Sequence, residues 1–254
     1  MWRNLERQAG VLRSLAIYYG VPGRIRRLTR FYRPLIKPGD LCFDIGAHVG
    51  NRIAAWTQLG ARVVAVEPQH HLIVWLNRLY ARNQQVTLIP SAVGTKSGSA
   101  TLYSSRFNPT VGTLSAIWLA AVSHEASFAN VDWNERETVP VTTLDDLIKD
   151  YGHPVLVKID VEGYEAEVLK GLSSPLPLIS FEYIPAAIDL AMACVEHLSA
   201  LGIYEFNWFV GETHRWASPG WLDQPGMQSQ LVQLGASPSS GDIFARLATA
   251  SVIG

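Results

Sequence analysis

The sequence contains little cysteine and no long apolar run, and its charges nearly cancel. Only Cys42 and Cys194 occur among 254 residues, so no disulfide framework is expected, and both should be reduced thiols of a cytoplasmic protein. No apolar run approaches the roughly 20 residues of a membrane-spanning helix. Arg13 interrupts the one apolar stretch near the start, so we expect no signal peptide. A net charge of −1 provides no global field for nucleic acid, and no nucleic-acid partner is expected.

Positive charge is concentrated in the first 40 residues, which contain only Glu6 and Asp40 as acids. Apolar residues at helical spacing predict one or two amphipathic helices there, interrupted at residues 20–23. We expect a basic helical cap over residues 1–37 and a second domain over residues 38–254. The cap is expected to pack on that domain, and a weak contact with an anionic substrate or membrane surface is the alternative. The sequence leaves homo-oligomer formation open.

The central motif of the second domain is a strand, a glycine turn and a helix. Residues 41–45 form an apolar run typical of a strand buried on both faces, and residues 46–50 (GAHVG) follow as a turn. Apolar residues then recur at helical spacing, and residues 62–66 predict the next parallel strand. That strand ends at Glu67, about twenty residues after the turn, where an acid commonly binds ribose hydroxyls.

The spacing of the turn favours one ligand over another. Dinucleotide-binding turns follow G-x-G-x-x-G, whereas here Asp44 leads and Gly46 is separated from Gly50 by three residues. The Asp44 carboxylate would repel phosphates, and His48 stands where a pyrophosphate requires space. Both features suit a ligand with a cationic amino or sulfonium group. The sequence therefore predicts S-adenosylmethionine as the cofactor.

Further strands alternate with helical patterns, which predicts a parallel sheet with helices. The third strand, residues 86–89, leads to Ser91 and Ala92, which we expect to flank an adenine ring. Residues 95–98 predict a hairpin turn with a returning strand at 100–103. Residues 104–137 are expected to hold a helix or an active-site cover, and residues 211–240 a polar excursion. The remaining strands are predicted at residues 155–160, 178–183, 203–210 and 242–245.

Two blocks, residues 139–147 (VPVTTLDDL) and 158–163 (KIDVEG), resemble the FkbM-type S-adenosylmethionine-dependent methyltransferases. Residues 44–50 (DIGAHVG), 67–68 (EP) and 241–245 (GDIFA) also fit this family. The resemblance covers about residues 38–247. It implies an α/β fold, namely the mostly parallel, seven-stranded Rossmann-like sheet of class I methyltransferases with an antiparallel last strand. It also implies O-methylation of a hydroxyl on a small molecule or saccharide.

In a sheet of this kind, ligands bind beyond the carboxyl ends of the strands. The candidate cofactor-binding residues are Asp44, Gly46, Ala47, His48, Gly50, Glu67, Ser91, Ala92 and Asp160. Asp160 and Glu162 are the first candidates for the general base and His48 is the next. No metal site is expected, because Asp160 and Glu162 alone are a weak case for Mg²⁺.

Lys158 and the overall activity leave alternatives open. A lysine inside a buried strand needs a partner, and we expect either Asp44 or Glu182 to supply it. An NAD-dependent oxidoreductase of the Rossmann type is one alternative function. A non-catalytic binding module that has kept the fold is another.

Overall fold

The computed structural model describes residues 2–105, 108, 111–122 and 131–248, with side chains from residue 9 onward. The helices are α1 Trp2–Tyr19, α2 Arg24–Tyr32, α3 Asn51–Thr57, α4 His70–Tyr80, α5 Ala116–Val122, α6 Leu144–Tyr151, α7 Glu165–Leu169, α8 Ile188–Leu201 and α9 Gln224–Gly235. The strands are β1 Leu41–Ile45, β2 Arg62–Val66, β3 Val86–Ile89, β4 Ala92–Val93, β5 Gly98–Ser104, β6 Glu135–Thr142, β7 Leu156–Ile159, β8 Leu178–Tyr183, β9 Tyr204–Val210 and β10 Gly241–Leu247.

The larger sheet has seven strands in the order β3-β2-β1-β7-β8-β10-β9. The first five strands of this order, β3, β2, β1, β7 and β8, pair in parallel. Strand β10 pairs antiparallel with both β8 and β9. The apolar runs of β1, β2 and β7 form these inner strands because both faces of the sheet are covered. The predicted fold class, including the antiparallel last strand, is confirmed.

The predicted hairpin is wrong in its pairing. A strand does follow the turn at residues 95–98, but it pairs antiparallel with β6, which in turn pairs parallel with β4. The second sheet therefore has the order β4-β6-β5, with β6 in the centre. Strand β6 is supplied by a segment far along the chain, so a local turn could not reveal it.

The two faces of the large sheet carry separate apolar clusters. Helices α6 to α9 cover one face, where side chains such as Phe181, Leu198 and Leu231 pack. Helices α2, α3 and α4 cover the other face around Tyr32, Trp56 and neighbouring strand residues. Among the described residues, no helix is both long enough and apolar enough to cross a bilayer.

The N-terminal helices pack on the second face. Helix α1 contributes Val11, which is buried together with Val49 of the glycine turn and Leu72 of α4. The Tyr19 hydroxyl donates to the Val49 carbonyl at 3.2 Å. This packing agrees with a helical cap, while a domain boundary at residue 37 stays a prediction.

Residues 211–240 were expected as a polar excursion, but they contain helix α9. Asp223 caps it, since its side chain accepts a hydrogen bond from the Gly226 N–H at 2.9 Å. Its buried residues, Met227, Leu231 and Leu234, have the spacing of one helix face. This spacing was the signal that could have predicted the helix.

Candidate functional site

A first cavity opens at the carboxyl ends of β1 and β2, with an empty volume of about 530 Å³ that includes open solvent. Five of the predicted cofactor-binding residues line it together with Asp160, and apolar residues of the smaller sheet and its connections close one side. The lining includes Gly46, His48, Glu67, Ser91, Ala92, Val93, Leu102, Leu114, Asp160, Glu162 and Tyr164. One end of the cavity is therefore polar and the other is largely apolar, as a nucleoside cofactor requires.

Glycine is required at the start of the turn. Gly46 has φ of 83°, and a Cβ built there would lie 1.9 Å from the Asp160 carbonyl oxygen. The N–H groups of Gly46 and Ala47 both donate to the Val66 carbonyl, at 2.9 and 3.0 Å. The turn is thus held against β2, and the close approach of Asp160 leaves no room for a side chain.

Glu67 is buried at the base of the first cavity and already accepts two backbone hydrogen bonds. Its oxygens accept from the N–H groups of His48, at 2.9 Å, and Gln69, at 2.8 Å. Burial raises the pKa of Glu67 to about 7, although the two backbone donors oppose the shift. The Gln69 side chain provides a third hydrogen bond, so one of the roughly four lone-pair sites of the carboxylate is left for a ligand hydroxyl. The ribose-binding role of Glu67 stays a prediction.

Asp44 is fully buried, and neither of its side-chain oxygens has a hydrogen-bond partner among the described residues. Burial raises its pKa to about 7, while Arg52 and Lys158 act in the opposite direction. Asp44 does not itself line either of the two cavities described here. A buried carboxyl without a partner is costly, and it marks a place where a donor from water or a ligand is needed.

The expected pairing of Lys158 with Asp44 or Glu182 is wrong. Its Nζ lies 2.7 Å from Asp242 Oδ1 and 3.7 Å from Asp160 Oδ2, and it donates to the Ile159 carbonyl at 3.1 Å. The cause is the order of strands, because β10 inserts next to β8 and brings Asp242 over the same face. The sequence does not show that β10 pairs with β8, so Asp242 was not considered as a partner for Lys158.

A second cavity of about 670 Å³, again including open solvent, lies beside the first. It is formed by the inner sides of α1 and α2, the start of α3, and the ends of β8, β9 and β10. Its lining includes Tyr18, Leu28, Tyr32, Asn51, Arg52, Asp160, Glu162, Glu182, Phe209, Glu212, His214 and Asp242. Asp160 and Glu162 line both cavities and so form a shared wall.

Three carboxylates meet at this wall. One oxygen each of Asp160, Glu162 and Glu182 lie within 4.8 Å of one another, a spacing that could hold a metal ion. Asp160, however, is already bound by Arg52 at 2.8 Å and faces Lys158 at 3.7 Å. These two cations already compensate the charge of Asp160, and the expectation that no metal binds here stays a prediction.

The environments of the three carboxylates differ. Burial opposes ionisation of Asp160, but Lys158 and Arg52 outweigh it and keep its pKa below the ordinary value. Burial and the nearby Asp160 charge raise the pKa of Glu162 well above its ordinary value. Burial, Glu162 and Asp160 do the same for Glu182. Neighbouring acids with pKa values moved in opposite directions are typical of proton-transfer sites.

His48 has a third kind of environment. The residue is half-buried, and its ring packs edge-on against Tyr18 of α1, with ring centroids 5.5 Å apart. The ring nitrogen Nε2 has no hydrogen-bond partner among the described residues. Burial lowers the pKa of His48 to about 4, so the imidazole is neutral around pH 7 and a weak base.

Sequence reasoning found the first cavity but missed most of the second. Arg52, Tyr18, Tyr32 and His214 come from four separate segments and belong to no motif. Glu182 was considered only as a partner for Lys158. Only the packing of α1 and α2 over the sheet brings these residues together.

The segment between β5 and β6 contributes to the first cavity, in agreement with an active-site cover. Gly112 and Leu114 line the cavity, and the Thr113 hydroxyl donates to the Glu162 carbonyl at 2.7 Å. Parts of this cover, residues 106–107, 109–110 and 123–130, lie outside the described residues. The Ser91 side chain is oriented toward the protein backbone, since its hydroxyl lies within hydrogen-bond distance of the Ala92 and Pro140 carbonyls.

The predicted cofactor fits this geometry. The polar end of the first cavity offers Glu67 for hydroxyls, and the fixed anion Asp160 suits an amino or sulfonium cation. Its apolar end, with Val93, Leu102 and Leu114, suits an aromatic base.

Comparisons with known proteins find a family model that matches more than half of the chain. The model of the methyltransferase FkbM domain matches residues 44–190. A hexuronic acid methyltransferase, AglP of Haloferax volcanii, is 30% identical over 146 residues, which are 56% of this chain and 54% of AglP. The chain thus matches about half the length of this curated relative.

Two solved structures are similar at low sequence identity. The precorrin-6y C5,15-methyltransferase of Geobacter metallireducens has a TM-score of 0.47 at 13% identity, covering 87% of each chain. An O-methyltransferase of Bacillus cereus in complex with SAH has a TM-score of 0.46 at 12% identity, covering 97% of this chain and 90% of that one. Both likenesses are too distant to inform on activity.

Proposed function

Because the chain belongs to the FkbM methyltransferase family, we propose that it transfers a methyl group from S-adenosylmethionine to a hydroxyl of an uncharged saccharide. Family membership confirms the cofactor that the sequence predicts, and it favours a methyltransferase over an NAD-dependent oxidoreductase. The observation that carries the proposal is the shared wall of Asp160 and Glu162 between the two cavities. A donor in the first cavity and an acceptor in the second would meet at this wall.

The second cavity has the groups that bind a sugar ring. Carboxylates accept hydrogen bonds from sugar hydroxyls, and Asn51 can both donate and accept. Tyr18, Tyr32 and Phe209 provide aromatic surface for the apolar faces of the ring. The relative AglP is named as a hexuronic acid methyltransferase, which also supports a saccharide acceptor.

The cations at the second cavity each face an acid, and Glu162 and Glu182 are further acids of its lining, which favours an uncharged ring over a uronate. Arg52 pairs with Asp160 at 2.8 Å, and Arg24 pairs with Glu212 at 3.3 Å. Asp242 pairs with Lys158 in the same way. No cation of the described lining is left over for the carboxylate of an acceptor.

The lining residues act by holding the acceptor and taking its proton. S-adenosylmethionine, when bound, supplies an electrophilic methyl group on a sulfonium sulfur. We assign proton removal to Glu162, since burial and Asp160 raise its pKa and it lines both cavities. The Glu162 carboxylate would accept the proton of the acceptor hydroxyl, whose oxygen gains the methyl group as the S–CH3 bond of the donor breaks to leave a neutral thioether. Asp160, held ionised by Arg52, is better suited to bind a cationic group of the donor.

The proposal is tested with isotope-labelled S-adenosylmethionine and a panel of neutral hexosides and hexuronides. We expect labelled methyl groups to appear on a sugar hydroxyl, with neutral sugars as the better acceptors. Glu162→Gln should lower kcat by about 10²- to 10⁴-fold, the usual range for a general base. The rate of this variant should also lose its rise with pH.

The matched control is Glu137→Gln, an exposed acid on β6 that lines neither cavity. Full turnover by Glu162→Gln would reject the assigned base but not the reaction. Cofactor binding without methylation of any acceptor in the panel would instead favour the non-catalytic alternative. Methylation restricted to uronates would contradict the charge argument alone.

A further inference from the structure

The outer sides of α1 and α2 form a surface that takes no part in either cavity. It combines exposed apolar side chains with exposed arginines. We call it the basic–apolar face and define it by Leu12, Ile17, Val21, Arg26, Arg27, Arg30 and Arg33.

The apolar half lies on α1 and the turn that follows it. The inner side of α1 packs on the domain through Val11, Tyr18 and Tyr19. The opposite side exposes Leu12 by 64% and Ile17 by 41%, and Val21 in the turn is 45% exposed. Leu12 and Ile17 lie about 140° apart around α1, on the two flanks of its exposed side, and Val21 follows in the turn. Exposed apolar side chains on the outer side of an already packed helix have no role in the core.

The basic half lies on α2. Leu28, Thr29 and Tyr32 are buried on its inner side. At 100° per residue, the four exposed arginines fall together on the opposite side of the helix and its last turn. None of the four guanidinium groups forms an ion pair or hydrogen bond within the described part of the chain. By contrast, Arg24 on the inner side pairs with Glu212 and also donates to the Ile17 carbonyl at 2.6 Å.

The two halves are adjacent. The bond from Arg24 to the Ile17 carbonyl fixes the start of α2 against the last turn of α1, and Val21 lies in the connection between them. An amphipathic surface of arginines and apolar side chains is the pattern that inserts into the boundary of headgroups and acyl chains. Binding of nucleic acid would use the arginines but would not account for the exposed apolar side chains. A partner that buries only apolar side chains would leave four guanidinium groups unused.

We propose that the basic–apolar face binds the surface of an anionic lipid bilayer. The guanidinium groups contact lipid phosphates, and the side chains of Leu12, Ile17 and Val21 enter the outer acyl region. The helices lie along the membrane plane and do not cross it. This proposal does not depend on the methyl acceptor, because the cavity is lined by the inner sides of the same helices.

The test is co-sedimentation of the full chain with vesicles. We expect binding to vesicles that contain phosphatidylglycerol, little binding to phosphatidylcholine alone, and loss of binding at high salt. Replacing the four arginines by glutamine should weaken binding at least about a hundredfold, since each contributes about a fivefold factor. The matched control replaces four other exposed arginines by glutamine, which gives the same net charge: Arg62, Arg78, Arg82 and Arg215.

A second set of variants tests the apolar half. Serine at positions 12, 17 and 21 should reduce binding by at least about tenfold even at low salt, because insertion is lost while the charge remains. Serine at three exposed positions elsewhere should not: Val74, Ile203 and Val232. Circular dichroism of each variant checks that the fold is kept.

Three results would overturn the proposal. The first is absence of binding to anionic vesicles at low salt. The second is equal loss of binding in the control sets, which would indicate a non-specific charge effect. The third is binding of a labelled oligonucleotide, or a dimer that depends on the same residues, without vesicle binding. Either form of this last result would assign the surface to nucleic acid or to a second copy of the chain.

Discussion

Replacing Asp44 by asparagine is expected to stabilise the protein at alkaline pH and to weaken cofactor binding. Asp44 is 0% exposed, and both of its side-chain oxygens lack a hydrogen-bond partner among the described residues. Burial raises its pKa from the ordinary 3.8 to about 7, with Arg52 and Lys158 opposing the shift. Asparagine has the same shape and does not ionise, so the variant removes the charge while keeping the volume.

The size and sign of the effect follow from linkage between ionisation and folding. Because the folded state holds the proton more tightly than the unfolded state, Asp44 makes folding less favourable as the pH rises from about 4 to about 7. The gap between 3.8 and about 7 corresponds to roughly 4 kcal/mol once both states are ionised. The amide of asparagine has unmet hydrogen bonds of its own, so we expect a gain of about 2–4 kcal/mol at pH 8. Near pH 4 the gain should almost vanish.

The assay is urea unfolding of both proteins between about pH 5 and pH 8 at constant ionic strength. Asp150→Asn, an exposed acid on α6, is the control and should show no such trend. Titration of S-adenosylmethionine at pH 8 measures the accompanying loss of affinity. A stability difference that does not change with pH, or an asparagine variant less stable at pH 8, would refute the reasoning.

Three further substitutions test the structure around the site. Gly46→Ala should lose more than about 2 kcal/mol of stability, because its Cβ would lie 1.9 Å from the Asp160 carbonyl oxygen at positive φ; a normal melting temperature would contradict this. Lys158→Met should cost about 3–5 kcal/mol in urea unfolding by leaving Asp242 buried and unpaired. Adding Asp242→Asn should recover part of that loss, and strictly additive losses would argue against the pair. Asp223→Ala should lower the free energy of unfolding by about 1 kcal/mol by removing the cap of α9. An unchanged melting temperature would show that the cap does not contribute to stability.

The sequence was sufficient for the parallel core because its strands are continuous apolar runs. Strands β1, β2, β3 and β8 were predicted at the bounds that the structure has. Strand β6 escaped prediction because only Val139 of its residues is buried and Pro140 interrupts the pattern. The alternation of apolar and polar residues that predicts a strand arises when one face of the strand is buried. A strand in a largely exposed sheet therefore shows little alternation.

The two cavities of the candidate site also differ in how far the sequence could predict them. In the first cavity, His48 belongs to the glycine turn, and Glu67 and Ser91 follow the next two strands, so motif spacing could place these residues. The second cavity depends on contacts between segments far apart, such as Tyr18 with His48 and Lys158 with Asp242. No local pattern encodes those contacts, because they arise from the packing of α1 and α2 and from the insertion of β10 between β8 and β9.

The position of β7 explains why one short block serves both cavities. In the strand order, β7 lies between β1, whose turn forms the first cavity, and β8, which borders the second. The carboxyl end of β7 therefore lies between the two cavities. Asp160 and Glu162 come just after this end and line both cavities. On the proposed function, the donor is set by β1, β2 and the smaller sheet, whereas the acceptor is set by α1, α2 and β8 to β10. Helix α1 also contacts the glycine turn of the donor site, through Tyr18 on His48 and Tyr19 on Val49. Substitutions in α2, rather than in α1, can therefore change the acceptor while the donor site keeps its geometry.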